Sequence, residues 1–525
     1  MAAALHPPAE ARRTAPGWRR LPLLGLALGA TAAFGLAPFG FWPATPAALG
    51  LALWHLSGPG PARRAGARAL FVGVGYFGAG LAWIVEPFLV DAATHGWMAP
   101  FALILMALGG GLFWAVPAWS ACRLATAPPA RGIAIAAALL ISEWLRGWIF
   151  TGFPWAQPGQ AWLGSPVAQL AAAGGQLGLT ALSLTLAALP VVFLRAAGRR
   201  AAWAGLAASA LLLAGTWAAG AARLAAPDPA PTAIVLRLVQ PDADQALKWD
   251  PGWAAEFYRR LLAGSAGPTA EGGTPDAVIW PETAVSFLLN EAGPVLPQMA
   301  ASAGGATLLT GMQRAEGARW YNSLVAIAPD GAARPVYDKF HLVPFGEYIP
   351  WGDAMARLGI TAFAAQNGFG YSPGPGPAVL RIGALPPFQP LICYEAVFPQ
   401  HLRATASARP EWLLQVTNDA WFGRFSGPWQ HLAQARLRAI ETGLPLIRVA
   451  NTGITAAIDA RGRVIAGLGL GAQGRIDVTL PGALPPTPWL AGGDAPLVAV
   501  AALLLLLAAL GDKARQPIDD RRHGP

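Results

Sequence analysis

The sequence predicts a polytopic α-helical membrane unit of about eight spans that carries an α/β domain outside the cytoplasm. Three observations lead there. Of 525 residues, 54% are hydrophobic and only 12% are charged, against roughly 25% charged in soluble domains, so much of the chain does not face water. Apolar runs of about 20 residues, long enough to cross a bilayer, recur before residue 225 and once more near the C-terminus. Between them the texture changes to short β-like runs interleaved with helix-like stretches, the pattern of a layered α/β domain.

The predicted spans lie near 21–38, 40–57, 69–88, 97–119, 131–150, 166–194 and 202–222, with an eighth near 492–511. Arg12, Arg13, Arg19 and Arg20 precede the first. A cleaved signal peptide has a shorter apolar region and a small-residue cleavage site, so this run reads as a retained anchor. With a cytoplasmic N-terminus, the loops after spans two, four and six share that side. They carry Arg63, Arg64 and Arg68, then Arg123 and Arg131, then Arg195, Arg199 and Arg200; the tail adds Lys513, Arg515, Arg521 and Arg522. The loop after span three holds Glu86 and Asp91 and no Lys or Arg. This positive-inside pattern places both termini in the cytoplasm and the region 225–490 outside it. The same loop arginines account for the net charge of +9, so nucleic acid is not an expected partner. Only two cysteines, Cys122 and Cys393, are present, which excludes a disulfide framework.

The expected organisation is a membrane domain over 1–225, an α/β domain over 230–482, and a final span with its tail over 490–525. One membrane stretch stands apart, Glu143-Trp144-Leu145-Arg146-Gly147-Trp148 running into Thr151-Gly152-Phe153-Pro154-Trp155. Charge near membrane depth is costly and tends to be functional. Two readings fit: an ion pair capping a helix end beside an aromatic belt, or the lining of a lipid path.

In the α/β region, strand-like runs occur at 232–240, 277–280, 306–310, 323–327, 391–392, 412–416 and 446–450, with helix-like stretches at Trp253–Leu262 and Trp429–Thr442. Three polar residues stand at the ends of apolar runs. Glu282 follows Val278-Ile279-Trp280-Pro281, Lys339 follows Val336-Tyr337-Asp338, and Cys393 follows Leu391-Ile392. Strand ends of α/β sheets are where ligands bind. A thiol needs a base to become a nucleophile, and a cation stabilises both the thiolate and a developing oxyanion. Singly, Cys393 reads first as a small buried hydrophobe and Glu282 and Lys339 as surface charges or structural ion pairs; together they make a chemical set. Cys393 lacks the Cys/His spacing of a zinc site, and neither metal nor cofactor is expected.

The contexts Trp-Pro-Glu-Thr (Glu282), Tyr-Asp-Lys-Phe-His-Leu-Val-Pro-Phe-Gly-Glu (Lys339, Glu347) and Ile-Cys-Tyr-Glu (Cys393, Tyr394, Glu395) resemble the carbon–nitrogen hydrolase (nitrilase) superfamily. With spans before and after that domain, the chain resembles the membrane-bound apolipoprotein N-acyltransferase family of bacterial envelopes. The resemblance implies a nitrilase-like αββα sandwich and a multi-pass inner-membrane protein. It implies Glu282 as general base, Cys393 as the nucleophile that carries an acyl thioester, and Lys339 with the Tyr394 N–H as oxyanion partners. Glu347, Tyr394 and Glu395 would support the triad, and Trp249 and Asn322 would shape the pocket. The implied donor is a phospholipid, with phosphatidylethanolamine expected, and the acceptor a diacylglyceryl apolipoprotein; one chain would suffice. Loops at Pro350–Phe363 and Asn418–Gly423 read as lipid-dipping or as ordinary loops, and Arg424, Arg436 and Arg438 as headgroup contacts or a solvated helix face. The rival functions are a membrane-anchored amidohydrolase with the same triad, and a non-catalytic transporter or sensor. Intramembrane charge is sparse for the latter.

Overall fold

A computed structural model describes residues 21–350 and 370–513. The arginines before residue 21, the expected loop from Trp351 to Phe363, and the tail arginines lie outside the described residues.

The N-terminal unit is built from α1 (Leu21–Ala33), α2 (Ala44–Leu56), α3 (Ala62–Gly80), α4 (Ala99–Leu124), α5 (Pro128–Arg146) and α6 (Ala171–Ala225). Their Ala- and Leu-rich sequences are strong helix formers, and helices satisfy every backbone group internally where water is absent. Small residues let them cross closely. A side chain at Gly75 would put its Cβ 2.1 Å from the Leu26 carbonyl oxygen, and one at Gly73 would meet the Gly111 Cα at 2.6 Å. On α4, Phe101, Ile104, Leu105, Leu112 and Val116 are exposed while Trp114, Ala118 and Ala121 are buried. This is an apolar face turned outward, as lipid requires.

The eight expected spans are not all reproduced at full length. Among the described residues, Ala92–Leu124 and Pro166–Ala225 are long and apolar enough to cross a membrane. Ala62–Gly80 with Ala82–Leu89, bent by 66°, makes a third if taken as one span. The first two expected spans are short helices because turns at Phe34–Pro43 interrupt them. The expected spans 166–194 and 202–222 are arms of one helical stretch, broken where Ala197 and Gly198 leave helical geometry at φ −143° and 80°. The C-terminal helix, Ala495–Lys513, packs on α5.

The second half forms two sheets. The first has the order β11-β1-β2-β3-β4-β5 and the second β10-β9-β8-β7-β6. The strands are β1 (Val235–Gln240), β2 (Ala277–Ile279), β3 (Thr307–Glu316), β4 (Arg319–Ile327), β5 (Ala333–Asp338), β6 (Phe388–Ile392), β7 (Trp412–Thr417), β8 (Leu446–Ala450), β9 (Thr455–Ile458), β10 (Val464–Leu468) and β11 (Gly474–Thr479). β1, β2 and β3 run parallel, as do β6, β7 and β8. Alternation of side chains sorts each strand's residues between two layers. Leu236, Leu238 and Ile279 share one core with Leu414, Val416, Ile447 and Val449, so the sheets stack face to face. On the outer faces, Val239, Val278 and Leu308 pack with Leu261 of α7 (Pro251–Ser265). Leu413, Leu446 and Ala456 pack with Leu432, Ala435 and Ala439 of α8 (Gly427–Thr442). The result is the expected αββα sandwich. Strand β5, the hairpin strands β9 and β10, and β11, which pairs with β1, were not expected from sequence.

The two halves interlock. The Gln430 Oε1 of α8 accepts the indole N–H of Trp83 at 3.1 Å and of Trp155 at 2.7 Å, while its Nε2 donates to the Ala37 and Gly80 carbonyls. Glu143 and Arg146 form a buried ion pair. Arg146 also donates to the Phe153 carbonyl and to that of Trp155 at 2.7 Å, so the expected ion pair is present and shapes the 153–155 loop. Arg438 is fully buried, paired with Glu441 at 2.7 Å and donating to the Gln176 side chain. That excludes both readings given for Arg438. Arg436 is half-buried and donates to the Gly462 carbonyl; Arg424 is exposed.

Candidate active site

Four strand ends meet at one edge of the sandwich. β2 ends three residues before Glu282, β5 is followed by Lys339, β6 by Cys393 and β7 by Asn418. Glu282 and Cys393 are each 5% exposed and Lys339 is 1% exposed. Glu282 Oε1 accepts from Asn322 Nδ2 at 2.7 Å and from Lys339 Nζ at 3.4 Å, and its Oε2 accepts the Asn418 backbone N–H at 2.8 Å. Lys339 Nζ also donates to Glu347 Oε1 at 2.9 Å, an oxygen shared with Asn322 at 3.2 Å. Glu347 is fixed in turn by the Val343 N–H at 2.9 Å. The lysine is thus cradled between two carboxylates, with Asn322 bridging them.

Burial opposes the charge of Lys339, but Glu347 and Glu282 outweigh it and hold its pKa well above the usual lysine value. The Cys393 thiol is pushed well up, first by burial and then by the Glu282 charge, while Lys339 and the Thr417 hydroxyl act in the opposite sense. The resting site therefore holds a protonated thiol beside a carboxylate that can take its proton. Cys393 has φ 52°, a left-handed conformation costing roughly 1–3 kcal/mol that persists only where surroundings enforce it. Strained turns of this kind expose nucleophiles after a strand.

Glu395 ties the turn of Cys393 to that of Lys339. Its Oε1 accepts from the Tyr337 hydroxyl at 2.9 Å and from the N–H groups of Phe340 and His341 at 2.9 and 3.2 Å; its Oε2 accepts the Ile392 N–H at 2.8 Å. Burial raises its pKa to about 7 against these bonds. The Tyr394 hydroxyl donates to the Gly152 carbonyl of the membrane unit at 3.2 Å, which sets the site directly against the helical half. No group of three or more His, Cys, Asp or Glu side chains able to hold a metal occurs among the described residues.

Comparison with known proteins agrees with this architecture. The apolipoprotein N-acyltransferase N-terminal domain matches residues 28–189, and the carbon-nitrogen hydrolase domain matches residues 258–484. The chain is 40% identical over 516 residues to the apolipoprotein N-acyltransferase of Bradyrhizobium diazoefficiens, covering 94% of this chain and 95% of that one. It is 41% identical over 511 residues to that of Caulobacter vibrioides, covering 94% of each. The chain belongs to the apolipoprotein N-acyltransferase family. Among solved structures, a CN-hydrolase superfamily protein from Xanthomonas campestris aligns at 23% identity with a TM-score of 0.35, over 51% of this chain and 96% of that one.

Of the residues expected from sequence, Glu282, Lys339, Asn322 and Glu347 form one hydrogen-bonded set, and Glu395 fastens Cys393's turn to it. Trp249 is half-buried on the loop between β1 and α7. On that loop it is Lys248 that reaches the Glu282 turn, with Nζ 3.1 Å from Thr283 Oγ1 and a pKa lowered to about 8 by burial. At the start of the 418–423 loop Asn418 orients Glu282 and Asp419 is fully buried, and Phe422 is buried against Trp83 and Trp155, as the ordinary-loop reading with buried aromatics expects. Sequence reasoning missed Lys248, Gln415, Asp419, His431 and Arg448. Arg448 carried a signal: a charge in the middle of the apolar run Leu446–Ala450 demands a buried partner.

Proposed function

We propose that this enzyme moves an acyl chain from a phospholipid, through a thioester on Cys393, to the α-amine of the S-diacylglyceryl-cysteine that begins an apolipoprotein. Glu282 takes the thiol proton as the sulfur attacks the ester carbonyl. The tetrahedral oxyanion is met by Lys339 and the Tyr394 N–H. The C–O bond breaks, and the lysophospholipid leaves with the proton from Glu282. The neutral amine then attacks the thioester, Glu282 accepts its proton, and the C–S bond breaks to return a protonated Cys393. The net exchange is an ester for an amide, with no redox change.

The observation that carries this reading is the convergence of Glu282, Lys339 and Cys393 in one buried site whose Tyr394 is bonded to the membrane unit. Both substrates carry acyl chains, and a site against the helical half is reachable from the bilayer. We assign phosphatidylethanolamine as donor and a single copy of the chain as the working unit. The membrane topology is eight spans with both termini cytoplasmic and the sandwich on the periplasmic side. The domains are 1–225, 230–482 and 490–525.

The test is intact-protein mass spectrometry after incubation with phosphatidylethanolamine, beside Cys393→Ala. A hydroxylamine-labile acyl mass on the wild type only, discharged by a diacylglyceryl-cysteine peptide, is the expected result. Discharge by water at the same rate without peptide would make the enzyme a hydrolase, and no adduct with any lipid would remove the thioester mechanism.

A further inference from the structure

Beneath the nucleophile lies a buried charged network that the acyl-transfer steps leave unused. Asp419, His431 and Arg448 are each 0% exposed. Asp419 is the hub. Its Oδ1 accepts the Thr417 hydroxyl at 3.0 Å and the His431 Nδ1–H at 2.9 Å, and its Oδ2 accepts from the Arg448 guanidinium. Arg448 Nη1 donates to Gln415 Oε1 at 2.7 Å, which fixes the amide the other way round. Gln415 Nε2 therefore faces the Cys393 carbonyl at 3.1 Å and His431 Nε2 at 3.0 Å. Burial, then the Arg448 charge, lowers the His431 pKa, so the ring is neutral. Its single hydrogen is committed to Asp419, so Nε2, which also lies 3.1 Å from the Cys393 carbonyl oxygen, is left to accept from Gln415 rather than donate to that oxygen; the tautomer is assigned from these partners. One Gln415 amide hydrogen goes to His431 and the other to the Cys393 carbonyl. The Thr417 hydroxyl, itself bonded to Asp419, favours the thiolate form of Cys393.

The geometry of the peptide bond gives this grip a consequence. The Cys393 carbonyl and the Tyr394 N–H belong to one planar trans unit and point in opposite directions. Whatever fixes the carbonyl aims the N–H, and Cys393 at φ 52° has no intrinsic preference to stay there. The network also touches the membrane half: the His431 ring lies 5.5 Å from the ring of Trp155, whose indole is held by Gln430.

We propose that His431, fixed by Asp419 and Arg448, is a positioning residue: through Gln415 it locks the peptide between Cys393 and Tyr394 so that the Tyr394 N–H faces the oxyanion. This rests on Cys393 being the nucleophile. Two amide replacements separate the ends of the imidazole. His431→Asn keeps a group for Asp419 but leaves Gln415 unmet, whereas His431→Gln can place its side-chain oxygen where Nε2 stood. In the full-length enzyme with phosphatidylethanolamine in mixed micelles, thioester formation is followed by intact mass over time. H431N is expected to acylate about 100-fold more slowly, the scale of a lost oxyanion donor, with the donor KM within about twofold of wild type. H431Q is expected to recover to within about tenfold. H431N acylating at the wild-type rate, or both variants equally slow, overturns the proposal. Should H431N fail to fold, the ¹⁵N shifts of His431 in the wild type decide: hydrogen on Nδ1 with a bare Nε2 supports the lock, and hydrogen on Nε2 overturns it. Absence of a thioester on the wild type itself, with C393A as blank, sinks the nucleophile assignment first and is told apart by that.

Discussion

Buried charge occurs in both halves of this protein, and the two cases are built differently. In the membrane unit Glu143 and Arg146 match one to one. Glu143 also accepts the Trp114 indole at 2.8 Å, and Arg146 lies 5.0 Å from the Phe77 ring and caps two carbonyls. Each charge meets its opposite, and nothing there is left to react. Around Cys393, the Lys339 ammonium is bonded to two carboxylates, the Lys248 ammonium reaches only the turn beside one of them, and a thiol is held protonated by burial. Acid is in excess, and the proton has somewhere to go. Matched buried charge builds structure, and unmatched buried charge does chemistry.

The sharpest way to break this contrast is on the reactive side. Cys393→Ala removes the thiol proposed to carry the acyl chain, so transfer should fall by 10⁴-fold or more. Its melting temperature should stay near that of the wild type, because a small buried side chain replaces another. Next come the flanking charges. Glu282→Gln and Lys339→Met should each slow thioester formation by roughly 10³-fold. Single-turnover mass spectrometry reads that step directly. Wild-type rates in either variant would mean that the uneven charge is structural after all.

How much of this contrast was legible in the chain follows from where each residue sits. Glu282, Lys339 and Cys393 could be read because each ends an apolar strand, a one-dimensional mark. The sandwich could be read from its apolar runs, and α8 from a helical stretch whose register was right to within two residues at its start. Strands β9 to β11 could not. β9 and β10 are only four and five residues long and include Ala and Gly, β10 is largely exposed, and Arg475 and Asp477 interrupt β11, so none stands out as a buried run. Apart from the mark left by Arg448 inside its apolar run, the Asp419–His431–Arg448 network was invisible for another reason. Its members come from a loop, a helix and a strand, and only the packing of α8 under β7 and β8 makes polar side chains of a helix face into a buried set. Arg438 shows the same limit, since helical spacing alone does not tell a solvated arginine from one paired in the core.

On the matched side the expected signature is stability rather than rate. Glu143→Gln leaves Arg146 buried without its counter-charge, and breaking one partner of such a pair costs about 3–5 kcal/mol. The melting temperature in detergent should drop by several degrees. Thioester formation per folded molecule should stay within about threefold of wild type. A large loss of rate without a loss of stability would move the pair out of the structural class.

The smallest effect tests a residue between the two classes. Glu395 is fully buried and bonded to four donors, yet its pKa is raised from about 4.5 to about 7 by burial. The folded state therefore keeps a proton that the unfolded chain releases between those values. The stability this contributes is complete below about pH 4.5, declines as pH rises, and is gone above about pH 7, amounting to roughly 3 kcal/mol at most. Glu441, raised to about 7 by burial as well, acts with the same sign. Melting temperature should thus fall as pH rises from 5 to 7, and Glu395→Gln should flatten that slope by about half, leaving the share due to Glu441. An unchanged slope would place Glu395 ionised throughout, a matched group like Glu143, with its four donors rather than a proton balancing the charge.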